Sequence, residues 1–160
     1  MKPSAPLHIR HARPEDAELI AQLIKELAVY EKLENEAVAA PEILKKNLFG
    51  ERPAAEVLLA EWESETAGFA LFFHNFSTFV GKPGLYLEDI FVRERFRGQG
   101  IGKALMMELV QIARQRGCGR MEWAVLHWNP ARKFYEKLGA VPMSDWVVYR
   151  LTEDKMQRLQ

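Results

Sequence analysis

Residues 95–106 run RFRGQGIGKALM, and the fold of the whole chain turns on what this stretch is for. Gly98, Gly100 and Gly102 alternate with larger residues just before an amphipathic run that carries Ile101, Leu105, Leu109 and Ile112 on one helical face. Immediately upstream, LYLEDIFV (85–92) is apolar on both faces except for Glu88 and Asp89, the pattern of a strand buried in the middle of a sheet. A buried strand, a glycine loop and a helix in succession make an anion cradle. Residues without Cβ atoms let a ligand approach successive amides, and the helix dipole adds to the attraction. Arg97 and Lys103 are placed to add positive charge. The same glycines could instead serve only a tight turn that packs strand against helix.

Two nucleotide motifs fail on specific residues. A phosphate-binding P-loop requires glycine five positions before Gly102 and a hydroxyl residue after Lys103; Arg97 and Ala104 stand there, so the Mg²⁺-binding hydroxyl is missing. The dinucleotide fingerprint requires glycine three positions beyond Gly100, where Lys103 lies.

Working outward, LHIRHA (7–12) alternates like a strand, after a lead over residues 1–6 expected to be mobile. Pro14 opens a helix to about Glu31, with Leu19, Ile20, Leu23, Ile24 and Leu27 at helical spacing. A short helix over 41–48 is closed by Gly50. VLLAEWE and GFALFFHNF form two strands joined by a turn near Glu65, and KPG at 82–84 separates them from the next strand. MEWAVL (121–126) continues as a buried strand, PARKFYEKL (130–138) as a helix stopped by Gly139, and WVVYRL (146–151) as a last strand. The order predicts a mixed α/β sheet with a parallel segment where strand, helix and strand alternate.

The bulk properties fit one domain. Its 160 residues balance 22 basic against 22 acidic side chains, which argues against nucleic acid as a partner. No apolar run approaches the roughly 18 residues of a membrane span. The start, MKPSAPLHIR, lacks the apolar core of a signal peptide, so the expected compartment is the cytoplasm. Cys118 is the one cysteine, which permits no internal disulfide and no multi-cysteine metal site; no metal is expected.

The motifs IKELAVYEKLE (24–34), YLEDIFV (86–92), RFRGQGIGKAL (95–105), AVLHWN (124–129) and FYEKLGA (134–140) together resemble the GNAT superfamily of N-acetyltransferases, and within it the diamine branch of spermidine/spermine and thialysine acetyltransferases. The resemblance spans nearly the whole chain. It implies the GNAT fold, a mixed sheet with a splayed cofactor cleft flanked by helices, and acetyl-CoA as co-substrate. By the same resemblance the pyrophosphate rests on the loop formed by Arg97, Gly98, Gln99, Gly100, Ile101, Gly102 and Lys103, and the pantetheine arm pairs with the backbone of Ile90, Phe91 and Val92, in the manner of an added strand. Asn129 and Arg132 are further cofactor candidates, and a homodimer is implied.

Acetyl transfer to an amine needs a neutral nitrogen. A lysine-like amine with a pKa near 10.4 is free base in only about one molecule in 10³ at pH 7, a deficit of roughly 4–5 kcal/mol. A carboxylate that takes the proton helps to meet it, and Glu88 is the candidate base. Glu88 and Asp89 are adjacent on a strand, so both serve one site only if a bulge re-aims one of them. Tyr135 matches the family's general acid for the departing thiolate, although Ala131, Phe134, Tyr135 and Leu138 also fall at core spacing. Tyr30 and Glu31 match the branch's substrate-binding pair, with Glu88 and Asp89 beside them. Ser77 and Phe79 stand where polyamine enzymes carry Asp and Trp, which leans the expected acceptor toward a thialysine-like amino acid over a long polycation. Asn129 lies six positions before Tyr135 where the family pattern has seven, and His127 replaces an acid common there. The alternative function is a non-catalytic acyl-CoA sensor. A nucleotide-hydrolysing enzyme is more distant because of Ala104.

Overall fold

The computed structural model describes residues 6–159; residues 1–5 of the expected lead lie outside them. The chain forms two compact units, one through Ala124 and one from Val125.

The first unit is built on a five-stranded sheet in sequential order. Strand β1 (Leu7–His11) pairs antiparallel with β2 (Glu56–Trp62), β2 with β3 (Glu65–Ser77), and β3 with β4 (Lys82–Val92). Strand β5 (Met121–Trp123) then pairs parallel with β4. The parallel pair is joined through helix α3 (Ile101–Gln115), as the alternation of strand, helix and strand requires. The β2–β3 turn is made by Glu63 and Ser64, both at positive φ, so two ordinary residues adopt the mirror-image turn that fits the twist of a tight hairpin.

Helix α1 (Ala17–Glu31) follows a single 3₁₀ turn at Pro14–Asp16, and α2 spans Pro41–Phe49. Ile20, Leu23 and Leu27 of α1 and Leu48 of α2 bury against Val57, Leu59, Phe69, Leu71 and Phe91. These are alternate positions on their strands, so one face of the sheet carries this core. Ile101, Leu105, Leu109 and Ile112, the apolar face expected of α3, are all buried, and α3 packs against β4, β3 and β2.

Three boundaries differ from the sequence-based expectation. KPG does not separate two strands; it is the start of β4, with Pro83 opposite Phe76 and Gly84 opposite Asn75. Strand β5 stops at Trp123 rather than Leu126. The expected last strand at 146–151 is not formed: these residues lack regular structure and are exposed, Tyr149 to 94%. A strand is completed only by hydrogen bonds to a neighbour, and the described residues of the second unit hold no strand to pair with it.

The second unit holds helix α4 (Ala131–Lys137), closed by Gly139 at positive φ, and helix α5 (Glu153–Arg158), which the sequence pattern did not suggest.

Candidate active site

The glycine loop leaves β4 through a 3₁₀ turn at Glu94–Phe96, pinned by the buried Phe96 ring. Gly98 and Gly100 take φ of +78° and +79°, the left-handed region that penalises any Cβ. A Cβ at either position would meet nothing within 4 Å, so backbone conformation demands glycine there while the space above stays open. The first helical acceptor is the Gly100 carbonyl, which receives the Ala104 amide at 3.0 Å. Arg97 and Gly98 lie inside a turn, and the amides that open the 15-residue helix after Gly100 stand at its N-terminus without intrahelical acceptors. The Arg97 amide is outside this set, because it donates to the Glu94 carbonyl at 3.1 Å. Lys103 is exposed beside the loop.

The edge of β4 next to this loop is open within the first unit. Strand β5 pairs only with Leu85, Tyr86 and Leu87, and no strand of the unit continues along residues 88–92. The Arg93 amide donates to the Ala67 carbonyl at 2.8 Å, which fixes the phase of the antiparallel ladder. Peptide groups of Val92, and of Ile90 two positions earlier, therefore face away from β3, while those of Phe91 face it. A Cβ on Gly68 would run into the Phe91 carbonyl oxygen, as expected for an oxygen turned toward β3. Of the three residues proposed for this edge, Ile90 and Val92 present main-chain groups to it; Phe91 contributes its buried ring on the core side.

The carboxylates come together through a bulge. Asp89 lies opposite Leu71 and Leu87 opposite Phe72, so Glu88 is an extra residue on β4. One added residue shifts the alternation, and Glu88 shares the side of Asp89, the face covered by α1. Helix α1 ends there. Lys32 closes it in the left-handed conformation, with the Leu33 amide returning to the Ala28 carbonyl at 2.8 Å, which sets Tyr30 and Glu31 in the last turn. Farther back on α1, Arg93 ties the helix to the sheet by donating to both Glu26 oxygens at 2.8 and 2.9 Å and to the Thr66 carbonyl. That tie had no signal in the sequence.

Burial first, then the charges of Glu88 and Glu31, push the Asp89 carboxyl up to about 6. Glu31 is also raised by burial. Three carboxyl groups thus crowd one corner at the end of α1, an arrangement that a cation would relieve. Tyr30 borders it, its ring centre 6.3 Å from that of Phe91. The Arg97 guanidinium reaches the same place: Nε donates to the Val92 carbonyl at 2.9 Å, and Cζ lies 4.6 Å over the Tyr30 ring. Sequence reasoning assigned Arg97 to the phosphate loop and could not foresee this contact.

Ser77 is buried and structural here. Its hydroxyl accepts the Val80 amide at 3.2 Å inside the β3–β4 hairpin, whereas Phe79 at the tip is exposed.

The remaining candidates lie on the second unit. Asn129 Oδ1 accepts the Ala131 amide at 2.9 Å, which satisfies a donor at the start of α4, so this side chain has a capping task. Arg132 donates to the His127 carbonyl at 3.0 Å. Tyr135 is half-buried on α4, its ring centre 5.6 Å from that of Phe134.

A strand, an amide-lined glycine turn and a helix, with an open strand edge alongside, match a known pattern. The profile of the acetyltransferase (GNAT) family covers residues 20–140. The chain belongs to the GNAT family. Its relatives include the thialysine N-epsilon-acetyltransferase of Bos taurus, 36% identical over 94% of this chain and 95% of that protein. The L-ornithine N5-acetyltransferase NATA1 of Arabidopsis thaliana is 34% identical over 94% of this chain and 86% of its own length. Among solved structures, the integron cassette protein VCH_CASS6 from the mobile metagenome of V. cholerae superposes with a TM-score of 0.81 at 26% identity, over 97% and 98% of the two chains. As a GNAT protein with such relatives, the chain is an N-acetyltransferase. No helix among its described residues is long and apolar enough to cross a membrane.

Proposed function

We propose that this GNAT enzyme transfers an acetyl group from acetyl-CoA to a primary amine of a small molecule, a thialysine-like amino acid or a diamine, by direct attack within a ternary complex. The observation that carries this reading is the juxtaposition, within one unit, of a glycine loop at a helix N-terminus, an open strand edge and a carboxylate-rich corner. The loop suits a diphosphate. Its glycines leave open space, and Gly102 would tolerate a Cβ in ordinary contact with Val92 at 3.8 Å, so close approach of a ligand is the better reason for glycine there. Ile90 and Val92 offer outward main-chain groups to an extended amide-bearing arm.

Acetyl-CoA, when bound, supplies the activated thioester; the chain supplies orientation and proton management. Glu31 and Asp89 hold the ammonium form of the acceptor beside Tyr30. Glu88, exposed on the bulge, takes the proton directly or through water and leaves the neutral amine free to attack. Tyr135 returns a proton to the departing thiolate. In this reading the two units form one acetyltransferase domain, which the family match supports by running through residue 125. The thialysine and ornithine acetyltransferases among the relatives support an amino acid with a side-chain amine as acceptor.

We also propose a homodimer acting in the cytoplasm. Its support is the exposed run Trp146, Val147, Val148 and Tyr149, between 73% and 94% accessible, in an otherwise strand-forming sequence. An apolar, β-prone segment of this kind is suited to pairing with a second copy of the chain.

The decisive test is thiol release from acetyl-CoA with thialysine, lysine, ornithine, spermidine and short diamines, beside thermal shifts with acetyl-CoA, ATP and NAD. Stabilisation by acetyl-CoA with turnover of an amine is expected. Stabilisation without turnover of any amine would favour a sensor, and stabilisation by ATP alone would end the acetyltransferase reading of the loop.

A further inference from the structure

Arg97 stands at the junction of the two proposed subsites. Its Nε donates to the Val92 carbonyl at 2.9 Å, one of the main-chain groups that face the open edge of β4. The guanidinium carbon lies 4.6 Å over the centre of the Tyr30 ring and 5.7 Å from that of Phe91. The side chain is exposed, so one hydrogen bond and the ring contacts hold it in place, and contacts of this strength in water are readily exchanged for others.

Three physical consequences follow from that position. An extended arm that pairs with the Val92 carbonyl competes with Arg97 for the same acceptor. A guanidinium 4.6 Å over Tyr30 occupies the ring face that a cationic acceptor would use, and so opposes a second cation there. The backbone of Arg97 adjoins the amides of 98–103, so a side chain released from Val92 has an anion-binding loop within reach.

We propose that Arg97 is a latch that couples the cofactor subsite to the amine subsite. Seated on Val92 and Tyr30, it keeps the cationic acceptor out. A cofactor arm that takes the Val92 carbonyl dislodges it toward the diphosphate and clears Tyr30 for the amine. Binding is then cofactor-first, and by linkage the amine strengthens cofactor binding by the same factor. This rests on the acetyl-CoA reading given above.

The test uses the full chain, with free CoA as a non-reacting cofactor probe and thialysine or L-ornithine as the amine probe. In ¹⁵N-labelled protein, the Nε–H resonance of Arg97, identified by its absence in R97K, is expected to move saturably as CoA is added. In calorimetry, saturating CoA is expected to tighten amine binding by about 10-fold or more in the native protein, within the usual range of such couplings, and by less than about 2-fold in R97A. CoA-free R97A is expected to bind the amine more tightly than the CoA-free native protein. If CoA binds while the Arg97 resonance stays still, or if R97A keeps the full coupling, the latch is wrong and the cofactor reading survives. If CoA does not bind the native protein, the cofactor reading fails and takes the latch with it. Should R97A not fold, the native resonance and R97K, which keeps the charge but not the Nε–H bond or the planar stack and is expected to lose the coupling, decide the matter.

Discussion

Asp89 sets a pH dependence for stability and, in the proposed reading, for amine binding. Its carboxyl is raised from 3.8 to about 6, so the folded state holds a proton that the unfolded chain releases. The folded protein then binds more protons than the unfolded one between about pH 4 and pH 6, and stability falls as pH rises through that window. Two pKa units correspond to a cost on the order of 3 kcal/mol above pH 6. D89N is expected to remove that slope and raise the Tm at pH 7 in thermal melts at several pH values. The same variant should weaken the amine, because an ammonium needs the ionised carboxylate; in the native enzyme KM for the amine should fall as pH rises through about 6, a limb absent from D89N. At Tyr135 the expectation concerns rate alone. Y135F should lower kcat about 100-fold or more with little change in acetyl-CoA affinity, the pattern of a lost proton donor; unchanged kcat would return the phenol to a packing role.

The β4–loop–α3 element carries its information in backbone geometry. Gly100 caps α3 at a φ of +79°, so G100A should lower the Tm and weaken CoA binding at least about 10-fold in calorimetry, since a strained turn misdirects the amides. Gly68 has another reason to be glycine. G68A would press a methyl group against the Phe91 carbonyl and disturb the β3–β4 ladder, so lost stability and faster hydrogen exchange at Phe69 and Phe91 are expected. The bulge at Glu88 belongs to the same element. It lets two adjacent carboxylates share a face, and without it one of them would be buried on the far side of the sheet.

For the whole molecule, the apolar run 146–151 of the second unit is the segment to test as a contact between copies. If it is the dimer contact, native protein should sediment as a dimer in analytical ultracentrifugation, and V148K should shift it to monomer with its first-unit fold intact by circular dichroism. A native monomer at all concentrations tested would remove the homodimer proposal. The two compact units also differ in character. The first buries a core under α1 and α2 and, separately, the apolar face of α3, whereas the second, from Val125, has no fully buried side chain among its described residues.

Much of this was legible in one dimension, because helices and glycine turns depend on local spacing. The stripe of Ile101, Leu105, Leu109 and Ile112, the α1 pattern and the left-handed Gly98 and Gly100 all follow from residues a few positions apart. The candidate residues of the loop and of the acidic corner were equally visible as types at given spacings. Strand bounds were less so, since a strand ends where its neighbour does: KPG joined β4 because β3 extends opposite it, MEWAVL shortened to three residues, and WVVYRL takes no regular structure in the second unit. The bulge that unites Glu88 with Asp89, the open edge at Ile90 and Val92, and the contact of Arg97 with Tyr30 are relations between segments distant in the chain. Hydrogen-bond register and side-chain packing in three dimensions create them, and no period in the sequence records them.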